Sequence, residues 1–270
     1  MPRLTFSAAL ALIVLGLFVL VAVLAPLIAP HAGYQPIGGV WEPASAAAPL
    51  GTDTLGRDLL SRLIFGAQIT LVIAAAATVL AFVGGTVLGF LAAAMGGWVD
   101  QLLSRLNDVL MSIPTLIFAL VVLSILPKTT AVLIAVMAVL EATRVFRVSR
   151  SIAGDLVVAD YVEVARMRGE GWAWIVFREI LPNALSPLLA ELGLRFAYAV
   201  LFLSTLSFIG LGIQPPAADW GALVRENKDG LLFGITSALI PGFAIAILAV
   251  AVNLVVDWLI NRSSSTKGGR

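Results

Sequence analysis

The chain has 270 residues, 60% of them hydrophobic and 12% charged, with a formal net charge of +1. Its mean hydropathy is +1.02, and a soluble domain carries about twice that share of charge, so a soluble fold and a nucleic-acid partner are both excluded. Cysteine is absent and His31 is the single histidine, which removes Cys/His zinc sites, thiol nucleophiles and disulfides.

The N-terminal apolar run from Ala8 to Ala29 exceeds the h-region of a signal peptide, so an uncleaved first span is expected. His31–Leu50 is rich in Pro, Gly and Ala and reads as an extended loop. Gly51-Thr-Asp-Thr-Leu-Gly-Arg-Asp58 supplies turn residues and charge before the amphipathic run Leu59–Gln68. The window Leu63–Val99 holds no charge and contains the second span, within Ile69–Ala94. Gly85 and Gly89 have the small-residue spacing that lets two helices approach. Met95–Asn107 is polar. The third span is expected over Val109–Leu126, with Pro114 near its start.

The fourth span begins near Thr129 and fades into Glu141 and Arg144, Arg147 and Arg150. Three-residue spacing puts these arginines on one helical face, expected at the lipid headgroups. The fifth span is Ala184–Leu206 or a window shifted later, with Glu191 and Arg195 spaced to pair. Ser207–Gly230 reads as a loop. The uncharged window Leu231–Val256 sits in the sixth span, Leu232–Leu259, and a polar, mobile tail follows.

The expected fold is all-α, a polytopic membrane protein with about six spans. Residues 1–50 form the first span and its outer loop, 51–262 the core with a cytoplasmic loop at 155–185, and 263–270 the tail. Six spans put both termini on one side. With the N-terminus inside, Arg57, Arg62, Lys128, Arg225 and Lys228 lie outside, and the remaining 12 of the 17 Lys and Arg lie inside. That asymmetry places both termini in the cytoplasm.

Catalytic signatures are missing. There is no Gly-x-x-x-x-Gly-Lys-Ser/Thr loop, no His-Glu-x-x-His and no Gly-x-Ser-x-Gly, so no enzyme activity and no bound cofactor are expected in this chain. The candidate proton carriers, Glu141, Glu191 and Asp257, all lie toward expected cytoplasmic ends, where snorkelling or pairing explains them. Asn107, Gln68, Asn253 and the Glu191/Arg195 pair are candidates for a substrate path, each also readable as structural.

Asp160–Pro187 is a charged island in this oily chain. Tyr161–Arg168 fits a short amphipathic helix, and the small side chain of Ala165 lets another surface come close. Gly169 relieves a tight turn. Trp172, Trp174 and Phe177 anchor the returning chain at the interface. Leu181–Pro182–Asn183 is expected as a turn, with Pro182 driving Leu181 toward an extended backbone. Such a loop either carries a push from a soluble partner to the spans or is an ordinary polar connection.

The island resembles the cytoplasmic EAA loop of bacterial ABC importer permeases. Glu163, Ala165, Gly169, Leu181 and Pro182 match that pattern at its spacing. Val164 replaces an alanine, and Glu179 stands where an apolar residue or His is usual. Ala25–Pro30, Gly51–Asp58, Gly96–Asp100, Leu206–Gly212, Gln214–Pro216 and Asp219–Gly221 resemble the C-type permease subunit of the dipeptide/oligopeptide (peptide/nickel) family. The resemblance implies the type I importer fold and the bacterial inner membrane. It further implies a second homologous permease, two cytoplasmic ATPase domains that bind ATP and Mg, and an extracytoplasmic binding protein. The five matching residues become the ATPase-coupling residues. Gly51–Arg62 and Gln214–Asn227 become the face toward the binding protein, an assignment that turns and solvated surface explain equally well. The implied function is import of di- or oligopeptides by alternating access. Nickel-chelate or glutathione import is the nearest alternative, and a self-powered secondary transporter or a membrane scaffold is the alternative of another class.

Overall fold

The computed structural model describes residues 5–267, with side chains as far as Arg262. Thr5 caps helix α1 (Phe6–Ile28) by accepting from the Ala8 N–H. Ala8, Ala11, Ala22 and Ala25 form its buried stripe, and α1 leans on two later helices. Asp58 caps α2 (Leu59–Met95), a 37-residue helix that ends at Gly96. At 1.5 Å per residue α2 is about 55 Å long and overruns a bilayer core of about 30 Å.

Gly97–Ser112 forms α3 and Thr115–Ile125 forms α4, bent by 84° at Ile113–Pro114. This corrects the expected third span. The helix begins at Gly97 rather than near Val109, and Pro114 breaks it where the missing N–H and ring clash forbid continuation. Thr129 caps α5 (Thr130–Val157). Instead of fading at Glu141, α5 runs unbroken past all three arginines. Arg150 pairs with Asp100 near the start of α3, and Arg147 reaches the Met111 sulfur near its end. So α3 crosses beside one turn of α5, while α4, about 16 Å long, continues along it. The arginines do share a face, but it meets α3 and α4.

The deepest packing is between α2 and α5. A methyl group on Gly85 would sit 2.7 Å from the Ala142 carbonyl oxygen, and one on Gly89 would sit 2.7 Å from that of Phe146. Both partners advance in the same direction, so the two helices are parallel. The glycines are therefore a groove for α5.

After α5 come α6 (Asp160–Met167) and α7 (Trp172–Ile175), which leads through a π-turn, Val176–Ile180, into α8 (Leu181–Ile209). Gly210 ends α8. Asp219 caps α9 (Trp220–Asn227), which is packed into the bundle and is no loop. The Trp220 indole donates to the Leu63 carbonyl at 3.0 Å, and its backbone N–H donates to the Thr70 hydroxyl at 3.1 Å. A 3₁₀ turn, Lys228–Phe233, closes at Gly234, so α10 starts at Leu239 rather than Leu232. It is helical to Lys267, through most of the expected tail. Residues 268–270, with Arg270, and Arg3 lie outside the described residues.

Among the described residues four helices are long and apolar enough to cross a membrane, or five with the bent α3–α4 pair. The remaining expected span is α5, whose charges set it apart by composition. The main core joins α2, α5, α8, α9 and α10 around Ala74, Ala77, Met137, Leu203, Trp220 and Leu248.

Candidate functional site

Val162 and Ala165 are the buried residues of α6. They enter a second core with Phe90 of α2, Ala153 of α5, and Ile175, Ile180, Ala184 and Leu188. Ala165 thus admits the chain's own helices, not an outside surface. The opposite face carries Glu163, Val164 and Met167, the last 78% exposed, and Phe177 nearby is 68% exposed. Gly169 takes φ +81 and ends α6, with its N–H on the Arg166 carbonyl and that of Glu170 on the Ala165 carbonyl. A left-handed residue closing a helix this way is ordinarily glycine. The Arg166 guanidinium stacks 4.6 Å from the Trp172 ring and that of Arg168 5.5 Å from Trp174, each adding about 0.5–1 kcal/mol where exposed.

The expected turn at Leu181–Pro182–Asn183 is absent. Leu181 is helical (φ −58, ψ −46), and its N–H bonds back to the Val176 carbonyl. Pro182 occupies the first turn of α8, where its missing N–H costs little, and the π-turn before it widens the helix. The Asn183 amide donates to the Glu179 carbonyl at 2.7 Å. Leu181 packs on the edge of the second core. Of the five expected coupling residues, Ala165 is a member of this core and Leu181 packs on its edge, while Glu163, Gly169 and Pro182 are exposed. Sequence reading missed its other members, Phe90, Ala153 and Ile175, which lie on separate helices with no shared spacing.

At the other end of the bundle, Asp53 accepts from Arg57 Nε and Arg62 Nη1, each at 2.7 Å. Glu226, in the last turn of α9, accepts from Arg57 Nη2 at 2.7 Å and from Arg62. Asp53, Arg57 and Arg62 are buried, so these charges are a clamp rather than solvated surface. Burial alone would raise the Asp53 carboxyl. The Arg57 N–H, the Arg62 guanidinium and the Leu55 N–H outweigh it and hold the group below the usual carboxylate range. Burial pushes the Asp219 carboxyl up to about 6.

Midway along α5, Glu141 is buried and paired rather than snorkelling. Its Oε2 accepts from Arg195 of α8 at 3.1 Å and its Oε1 from Arg144 at 3.4 Å. Arg195 also pairs with Glu191 at 2.8 Å. The Glu191/Arg195 pair was legible from spacing. Glu141, far away in sequence, was not. The other path candidates stay apart. The Asn107 amide turns to the Met111 sulfur, that of Asn253 to the Ala249 carbonyl, and Gln68 lies on α2. Among the described residues no group of three or more His, Cys, Asp and Glu is arranged to hold a metal ion.

The family of binding-protein-dependent transport system inner membrane components matches residues 85–265, from the glycine groove through α10. The chain belongs to that family. As such a component it is similar to a putative peptide transport system permease protein of Brucella suis, 39% identical over 260 residues, covering 94% of this chain and 86% of the relative. A dipeptide transport system permease protein of Haemophilus influenzae is 33% identical, covering 94% and 88%. A glutathione transport system permease protein of Shigella flexneri is 34% identical over 245 residues, covering 90% and 81%. The inner membrane component is thus an ABC-type permease, and α6 lies within the matched segment.

Proposed function

We propose that this permease is one of two membrane subunits of an ATP-driven importer of di- or oligopeptides, with both termini in the cytoplasm. The observation that carries the reading is α6, fixed to α2, α5 and α8 through Val162 and Ala165 while Glu163, Val164 and Met167 face outward. Such a helix moves only with the spans beneath it. A cytoplasmic ATPase that docks on its outer face transmits its closure directly to the bundle. ATP and Mg sit in the two ATPase domains, and a binding protein delivers substrate from outside. ATP-driven closure opens the path between the two permeases, and ADP release resets it. No covalent bond changes in this chain.

The relatives' names support peptide cargo, and the Shigella relative supports glutathione, itself a small peptide, as the second reading. Buried Glu141 and Glu191 share one arginine, so they are poor carriers for a proton-driven alternative. The test is purification of the tagged chain from its native membrane, followed by uptake in vesicles. A second permease and ATPase subunits are expected to co-purify; a folded chain that reproducibly emerges alone refutes the importer reading. Glu163→Arg is expected to lower peptide uptake at least tenfold while ATP hydrolysis continues, since charge reversal at a docked surface costs about 1–3 kcal/mol. Gly169→Trp should act likewise, since the ring projects into open docking space and the side chain strains a backbone held at φ +81. Normal uptake by both variants removes the coupling role.

A further inference from the structure

A recess of about 280 Å³ opens between α4, α5 and α8; Leu116, Leu201 and Phe202 make its walls largely apolar, and Thr115, Glu141, Arg144, Tyr198 and Thr205 bring its polar groups. It lies near the middle of α5, close to where Ala142 meets Gly85 in the uncharged stretch of α2. Its side chains differ in how fully they are engaged. Arg195 is 9% exposed and holds two carboxylates, Glu191 at 2.8 Å and Glu141 at 3.1 Å, with Tyr198 against its guanidinium at 4.8 Å. Arg144 is 39% exposed. Its two hydrogen bonds, to Glu141 and to the Thr115 hydroxyl, are both 3.4 Å long. The acid it leans on is already held more closely by Arg195. Arg144 is therefore a loosely held, partly exposed cation on the wall of a largely apolar recess.

A charge among spanning helices is unfavourable against lipid and ordinarily lines a protein-walled or water-filled path. Loosely held guanidinium donors match a carboxylate, which accepts two parallel N–H bonds. The recess is too small for a whole oligopeptide and suits one end of it.

We infer that this recess is a substrate subsite on the wall of the translocation path, where Arg144 receives the terminal carboxylate of a passing peptide. Thr115 and Thr205 present hydroxyls beside that carboxylate, and the Glu191–Arg195–Glu141 chain fixes the position of Arg144. The inference rests on the peptide-importer reading above.

The test uses the intact transporter with its co-purified subunits and binding protein, in phosphatidylcholine vesicles with ATP and radiolabelled trialanine. A photoreactive benzoylphenylalanine replaces Leu201, at the recess, or Val79, exposed on the far stretch of α2. Illumination during turnover is expected to attach labelled peptide at position 201 and not at 79. Arg144→Gln is expected to lower uptake at least tenfold and to weaken labelling at 201 in parallel, while Arg144→Lys keeps at least a third of both. Attachment of lipid instead of peptide at 201, labelling at both positions or at neither, or parental uptake by Arg144→Gln overturns the subsite. Should the unmodified transporter accumulate no peptide, the importer reading itself falls, and that outcome is read before any variant.

Discussion

Asp219 and Asp53 sit at the same end of the bundle and respond to acid in opposite ways. The Asp219 carboxyl is raised by burial from 3.8 to about 6. Its folded form therefore binds the proton more tightly than the unfolded chain does, and stability falls as pH rises from about 4 to about 6. Asp53 is lowered, so its contribution is present above pH 3.8 and is lost in stronger acid. Asp219→Asn keeps an acceptor for the Ala222 N–H, since Asn caps helices as well as Asp, but it does not ionise. The melting temperature of the variant relative to the parent is expected to climb between pH 4 and 7, by the equivalent of roughly 2–3 kcal/mol. A constant difference across that range removes the assignment. Neither behaviour was legible in the sequence, where both aspartates looked like turn residues. What distinguishes them is that Arg57 and Arg62 fold back onto Asp53, whereas burial outweighs the donors at Asp219.

The elements themselves were legible wherever one segment decides its own structure. The apolar runs gave α1, α2 and α10, and the alternation of charged and apolar residues gave α6. The errors fell where two signals compete. Pro182 was read as a break, yet proline is at home in a helix's first turn and a π-turn precedes it. Pro114 was read as the start of a span, yet it is the corner between α3 and α4. Ala165 was read as facing outward because smallness has no direction; only the fold shows that it faces Phe90 and Ala153. This gives a test at the same scale. Ala165→Trp inserts a ring where the neighbours already fill the space, at a cost of about 1–3 kcal/mol. It should detach α6, seen as faster proteolysis within residues 155–170 while α2 and α10 remain protected. An unchanged cleavage pattern means that α6 is not held by this core.

Across the whole molecule, each end of the bundle has its own fastening beside the main core. At one end the Asp53–Arg57–Arg62–Glu226 clamp binds the first loop to α9; at the other the small core binds α6 to three helices. Asp53→Asn strips one carboxylate from two buried arginines. Breaking a buried ion pair in this way costs about 3–5 kcal/mol. The variant should melt markedly lower in detergent, and an unchanged midpoint would mean that Glu226 alone holds both guanidiniums. The charge asymmetry of the loops was visible in the sequence, but the clamp was not, because Glu226 lies far along the chain from the motif that it completes.

The parallel contact between α2 and α5 also constrains how the protein is made. Neighbouring spans can zip together as they leave the ribosome, but these two cannot. The groove at Gly85 and Gly89 must wait for Ala142 and Phe146, synthesised about sixty residues later, and such distant contacts form late. Until then α2 lies in the bilayer with its glycine groove open to lipid or to another helix. A chain stalled before Thr130 would display that groove indefinitely, which makes it the natural handle for whatever removes unfinished copies.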